Sequence, residues 1–527
     1  MSDPEPTPAD ATPSVPAIPL TRLQSAGILA ALMMGLLLGA LDNFIVVTAL
    51  PTISMDLHDV SGQVFVVSAY LIAQTVAIPI FGKLSDRFGR RSFYLFGLVI
   101  FLVGSVASGL SQSLDQLIAF RALQGLGSGA FFTVVFSLVA DLFPPAAAAR
   151  LVGLLSGVFG IAIVFGPLIG SYIIDTTTWR WIFFVNIPVG LAAIALVLTC
   201  IRAVPPPAGI RQRFDVEGAG LLAVWVGALI FALVETSNGW AWTDPRTIGL
   251  LAIALVLLPV FLYVEWRAAD PLLPIRLFQK RVVAACSGVN FLRGALLTVV
   301  VTYIPILVVQ GLAGSTDDSR DVLYAFMIPM ILGAALGGQM VAKLGYRAPA
   351  SLGVILATLG VFLLTAVPTT PPIFRFAGGF FPIGLAGALL PIGFGIGLTF
   401  APTQLAIQYS VSSKDVGTAN SLVWFISNLG GSIVVSLLAT FQLNRFTSTF
   451  ASIQPAPVAV GSPGFSAYLA ALQTAAHSAV AQSIQVTWWV LLPFAVLSVV
   501  FALLIVGQLP QTQGEPRDEP APTPAMV

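Results

Sequence analysis

Fourteen times between residues 25 and 508 the chain runs for about twenty residues with almost no charge, the length a helix needs to cross roughly 30 Å of hydrocarbon. The runs fall near 25–50, 62–81, 92–110, 116–140, 151–174, 182–201, 216–235, 247–265, 282–310, 322–342, 349–367, 380–408, 416–440 and 486–508. The twelfth is long enough to begin with a tilted or re-entrant piece. Backbone inside a bilayer must satisfy its polar groups within its own segment, so such a chain folds as helices. Only 9% of its residues are charged, against about 25% in soluble domains. A net charge of +1 supplies no basic face for nucleic acid. Cys200 and Cys286 lie in or beside apolar runs and imply neither a disulfide framework nor a thiolate metal site.

Lys and Arg favour cytoplasmic loops. With the amino terminus inside, seventeen of the 24 basic residues fall in inner segments, and only Arg180, Arg246, Arg320, Arg375 and Arg445 in outer ones. The remaining two, Arg121 and Arg293, lie within spans. A multi-pass protein of the cell (inner) membrane with both termini cytoplasmic is expected. Residues 1–22 and 510–527, rich in Pro and acidic residues, read as disordered cytoplasmic tails, and the first lacks the basic start of a secretory signal.

The chain also repeats itself. Residues 82–91 read GKLSDRFGRR and residues 338–347 read GQMVAKLGYR, sharing both glycines and the final arginine. The ALP ending at Pro51 is echoed by the YIP ending at Pro305, at an offset only two residues different. Repeated halves are a signature of transporter folds. The expected architecture is all-α: a six-helix bundle over 23–203, two inserted helices with linkers over 204–280, and a second six-helix bundle over 281–509.

GKLSDRFGRR resembles the signature between the second and third helices of the major facilitator superfamily, and fourteen spans with two central extras resemble its drug:proton antiporter branch. LDNFIVVTALP (41–51) is similar to that branch's first-helix motif, RALQGLGSG (121–129) to its fourth-helix motif, GPLIG (166–170) to its fifth-helix antiporter motif, and WRWIFFVNIPVG (179–190) to its stretch into the sixth helix. Phe44 and Val47 stand where the first motif usually has Thr and Asn, and Ala342 replaces the turn aspartate in the second copy. LDNFIVVT also resembles the variant of actinobacterial relatives that export lipids. The resemblance implies a proton-coupled exporter of hydrophobic or amphipathic compounds working by alternating access, with lipid export as the alternative cargo reading.

An ionised carboxylate within a span normally faces a wet cavity or a charged partner. Counting 1.5 Å per residue places Asp42 roughly 26 Å above the inner start of its helix, and Arg121 reaches a similar depth from the outside. An Asp beside an Arg, alternately wetted and dried, suits a proton carrier; a static buried pair that fixes packing is the other reading. Asp86 lies among basic residues, where a carboxylate accepts from a helix amino terminus and pairs with arginines, latching one conformation; with it go Gly82, Arg87, Gly89, Arg90 and Arg91, which otherwise only hold the turn inside. Gly153, Gly157, Gly160, Gly166, Pro167 and Gly170 suit a rocking interface between bundles or plain close packing. Arg293 meets an anionic group or a carboxylate across the cavity, or else is satisfied by neighbours such as Asn290, Asn420 or Asn428. Asn43, Phe44, Gln124 and Trp424 complete the candidate cavity lining.

Rival classes lack their residues. Gly82-Lys83 is followed by Leu84 and has no glycine five residues before it, so it is no P-loop. His58 and His477 are the only histidines, both expected in outer loops, and no HExxH or GxSxG occurs. A non-transporting receptor remains the reading from another class. The expected partners are a small hydrophobic or amphipathic substrate, protons as coupling ion and membrane lipid, with no cofactor, for a monomer.

Overall fold

The computed structural model describes residues 21–58, 63–201, 214–237, 239–368, 373–376, 379–411, 415–458 and 465–505. The expected tails lie outside them except for residues 21–22, which start the first helix. Fourteen helices are long and apolar enough to span a membrane. They are α1 Arg22–Asp56, α2 Gln63–Phe88, α3 Arg90–Gly109, α4 Leu114–Leu142, α5 Pro145–Thr176, α6 Asn186–Cys200 (preceded by the single turn Trp181–Phe184), α7 Val216–Ser237 and α8 Pro245–Arg267. Then follow α9 Arg281–Ile306, α10 Thr316–Leu344, α11 Arg347–Ala366, α12 Ile383–Gln408, α13 Val416–Ile453 and α14 Phe465–Leu503.

The helix ends are written locally. Thr21 and Gln24 form a reciprocal capping box at α1, with bonds of 3.1 and 3.2 Å. Ser113 caps α4, Pro145 opens α5, and Asp244 caps α8 ahead of Pro245 at its first position. Gly89 and Gly345, equivalent in the two copies, both take positive φ (92° and 73°) and let the chain reverse within one or two residues. Residues 82–91 are therefore two helix ends joined by Gly89 rather than an open turn.

Packing repeats as well. In the first half α1 packs on α5 and α6, α4 on α2 and α3, and α3 on α6. Eight helices later, α9 packs on α13 and α14, α12 on α10 and α11, and α11 on α14. The halves meet where α2 crosses α13 and α5 crosses α10, and α7 and α8 pack on each other with α7 against α2 and α13.

Three expectations change. Residues 373–376 and 379–382 form an antiparallel hairpin, Ile373 opposite Pro382, so α12 starts at Ile383 without a re-entrant piece. The last two helices run 38 and 39 residues, far beyond their apolar windows, because the intervening Ala, Ser and Thr lower hydropathy without stopping a helix. His477 accordingly lies on α14, its ring against the Gln310 carbonyl at 2.5 Å.

Candidate functional site

α1 carries Asp42 into the first bundle, where it is 1% exposed, and α4 presents Arg121 and Gln124 three residues apart on one face. Arg121 Nη1 donates to Asp42 Oδ2 in a close ion pair. Gln124 Nε2 and Asn186 Nδ2 donate to Asp42 Oδ1 at 2.8 and 3.0 Å. Asn186 is held by Ser105 Oγ at 3.0 Å, and that hydroxyl donates to the Phe183 carbonyl at 2.8 Å. The guanidinium lies 4.1 Å from the centre of the Tyr70 ring and also donates to Gln124 Oε1 at 2.9 Å. Tyr70 in turn donates to the Gly39 carbonyl at 3.0 Å and shares a hydrogen bond with Ser128 Oγ at 2.7 Å. Both carboxylate oxygens are occupied, so a proton arriving here competes directly with Arg121.

This network sits inside one bundle, not between the two. Gln124, expected in the cavity lining, belongs to it. Asn186 and Ser105 join the site from α6 and α3, and the signal for Asn186 in the sequence is its place in the NIPVG stretch.

At the end of the molecule carrying residues 82–91, Asp86 caps the facing helix of the other bundle. Gly417 N donates to Oδ1 at 2.9 Å, and Thr418 donates to Oδ2 through N at 3.0 Å and Oγ1 at 3.2 Å. Arg90 lies 3.3 Å from Asp86 and 2.6 Å from Asp141, Arg91 donates to the Leu198 carbonyl at 3.0 Å, and Arg87 stacks near Phe88. A Cβ on Gly82 would lie 2.7 Å from Ser421 Oγ and 2.9 Å from the Gly417 carbonyl, so only glycine lets α2 and α13 touch. Its counterpart Gly338 stands closer still against the Ala149 carbonyl of α5, where a Cβ would overlap the oxygen. This end is closed.

The small residues of α5 divide in two. Gly153 and Gly160 face Ala334, Ile331 and Met330 of α10 across the bundle interface, whereas Gly166 and Gly170 face Phe44 and Ile45 of α1 within their own bundle. Pro167, between them, removes a helix bond.

The remaining cavity candidates do not converge. Asn420 accepts from Gln404 and donates to Ser137 Oγ at 2.7 Å, bridging the bundles. Trp424 packs with Phe132 and Phe136 of α4 and Phe400 of α12, at centroid distances of 5.2, 5.6 and 6.3 Å. Asn43, Phe44 and Asn428 are half-buried. Arg293 does not reach Asp42: it is buried in the second bundle, donating to Thr403 Oγ1 at 3.3 Å and lying 4.2 Å from the Phe400 ring centre. Thr403 passes its own proton to Asn290 Oδ1 at 2.8 Å. Among the described residues Nε and Nη2 of Arg293 have no hydrogen-bond partner, and beside them is a cavity with room for about one water, lined by Leu296, Val354 and Thr399 among others.

A duplicated helical array around a buried carboxylate is the build of a membrane transporter. The chain belongs to the Major Facilitator Superfamily, whose family model matches residues 32–435. It is 33% identical over 417 residues to Multidrug resistance protein 3 of Bacillus subtilis, covering 79% of each chain. It is 30% identical over 499 residues to the efflux pump dotC of Dothistroma septosporum, covering 91% of this chain and 83% of that one. Among solved structures it superposes on the proton:xylose symporter XylE with a TM-score of 0.59 at 16% identity, covering 92% of this chain and 96% of that one, which shows the fold alone. The family and these relatives mark a transporter of small molecules rather than an enzyme.

Proposed function

We propose that the protein is a proton-coupled antiporter that exports hydrophobic or amphipathic compounds across the cell membrane by alternating access. The observation that carries the reading is the Asp42 site: a buried carboxylate both of whose oxygens accept from neighbouring helices, through Arg121, Gln124 and Asn186, so that neutralising it with a proton weakens those helix-to-helix contacts. Protonation frees α1 from α4. Because α1 lies on Gly166 and Gly170 of α5, and the other half of α5 lies on α10, movement at Asp42 is passed to the bundle interface.

In the cycle, Asp42 takes a proton from the outside as substrate leaves. The bundles rock, and the proton is released to the cytoplasm as new substrate binds. The drive is the pH gradient plus about 2.3 kcal/mol per charge per 100 mV. The excess of Lys and Arg in alternate loops supports a cytoplasmic location for the Asp86 end and both termini. Relatives named for multidrug efflux support drug-like cargo ahead of lipid. The working unit is a monomer without cofactor, the proton being the coupling ion.

The test is flux of a panel of dyes and labelled lipids in proteoliposomes with an imposed pH gradient. Asp42→Asn should retain folding and substrate binding and lose gradient-driven transport. Wild-type rates in that variant, with substrate still dissipating the gradient, would remove Asp42 from the coupling step.

A further inference from the structure

The two inserted helices bring a carboxyl pair of their own. Asp215 caps α7: Gly218 N donates to Oδ1 at 2.7 Å and Ala219 N to the Asp215 carbonyl at 3.1 Å. Glu265, near the end of α8, is 2% exposed, and the returning chain donates Leu273 N to its Oε2 at 3.0 Å. Each acid thus spends one oxygen on a backbone amide. The other two, Asp215 Oδ2 and Glu265 Oε1, are buried and without a hydrogen-bond partner among the described residues. Both press on the same face of Gly218, where a Cβ would overlap Asp215 Oδ2 and lie 2.9 Å from Glu265 Oε1.

Two carboxylates facing each other out of water cannot both stay ionised, and a buried orphan acceptor costs about 1–3 kcal/mol. One proton shared between the two free oxygens would remove both penalties. Among the described residues the other charged group acting on Glu265 is Lys83 of α2. Lys83 is committed to Asp270 in a close salt bridge and acts on Glu265 only through space.

We propose that Asp215 and Glu265 form a second proton-binding site, holding one proton between Asp215 Oδ2 and Glu265 Oε1. It is separate from Asp42 and independent of the antiport reading. Its position links it to the closed end: Lys83 lies one helical turn before Asp86, and α7 packs on both helices that Asp86 joins. Losing the proton sets α7 against α8, and α7 is the one of the two that packs beside that contact.

Infrared difference spectroscopy of the full-length protein in nanodiscs tests this without substrate. Wild type at neutral pH should show a protonated-carboxyl stretching band that is lost in Glu265→Gln, lost or shifted in Asp215→Asn, and retained in Asp42→Asn. Wild-type melting temperature should fall by several degrees as pH rises from about 5 to 8, with no such fall in Glu265→Gln. If neither pair variant alters the carboxyl band, the proposal is wrong. It is equally overturned if exchanging sodium and potassium for choline destabilises wild type while the band is unchanged in Glu265→Gln, because the pair would then hold a metal cation. Asp215→Asn keeps the test decisive should Glu265→Gln not fold.

Discussion

Gly82 and Gly338 stand at equivalent positions of the two repeats, each pressed against the backbone at the start of a helix from the opposite bundle: Gly82 on Gly417 and Gly338 on Ala149. Four residues further on, the copies diverge. Asp86 reaches across to Gly417 and Thr418, whereas its counterpart is Ala342.

Asp86→Asn keeps the shape but removes the charge behind two backbone hydrogen bonds. Bonds to charged groups contribute about 1.5–3 kcal/mol, of which the amide recovers part. The closed population should fall about tenfold, the equivalent of roughly 1.4 kcal/mol. Spin-label distances across α2 and α13 measure it, and unchanged distributions would leave the carboxylate no latching role.

Gly338→Ala puts a methyl group into the Ala149 carbonyl, a backbone atom that cannot rotate away. Overpacking of this kind costs about 1–3 kcal/mol. The variant should favour the open arrangement more than Gly82→Ala, whose methyl group meets Ser421 at 2.7 Å and the Gly417 carbonyl at 2.9 Å, a looser fit than that of Gly338→Ala against the Ala149 carbonyl. Cysteine accessibility at this end would rank the two.

Asn186→Ala removes one of the two donors to Asp42 Oδ1 while leaving the Arg121 pair in place. Gradient-driven transport should drop about tenfold with substrate affinity within about twofold of wild type, given roughly 1.5–3 kcal/mol for a bond to a charged group. Full activity in this variant would mean that Gln124 alone sets the carboxylate.

Arg293→Met tests a buried guanidinium that has one weak hydrogen bond and an aromatic face but no acid. Replacing buried charge by an apolar side chain of similar length is often neutral or stabilising by about 1–4 kcal/mol. Thermal stability should hold or rise, and preference among cationic, neutral and anionic cargo should not change. Selective loss of anionic cargo would place Arg293 in contact with substrate after all.

Asp56 at the opposite end from Asp86 accepts from Trp179 Nε1 at 2.8 Å and Arg180 Nη1 at 3.0 Å. The indole and guanidinium hold its carboxyl below the ordinary 3.8. Its stabilisation is complete above that ordinary value and disappears only as pH falls through the lowered one. The effect of Asp56→Asn on melting temperature should therefore be the same at pH 5 and pH 8.

The span count, the duplicated halves and the pairing of Asp42 with Arg121 were all legible in the sequence, because hydropathy, repeated glycines and an acid and a base at matching depth are local signals. Asn186 was not, since an asparagine beside an apolar run carries no sign of which helix it will face. The destination of Arg293 was equally hidden: aligning Pro51 with Pro305 gives its depth but not its direction, and direction decided that it meets Thr403 rather than Asp42. The glycines of α5 show the same limit. Their spacing announced close packing, but only the three-dimensional arrangement assigns Gly153 to α10 and Gly166 to α1.

With a carboxylate on one glycine contact and a methyl group on the other, the closed end is built like a door. Under the alternating access proposed for this chain, the α5–α10 seam, where the nearest contacts of Gly338 are backbone atoms and supply shape only, is expected to serve as the hinge side, and the α2–α13 seam, where Asp86 adds charge, as the side that unlocks. Opening would then begin at Asp86 and swing about Gly338, and the two halves would part asymmetrically although their helices are nearly symmetric.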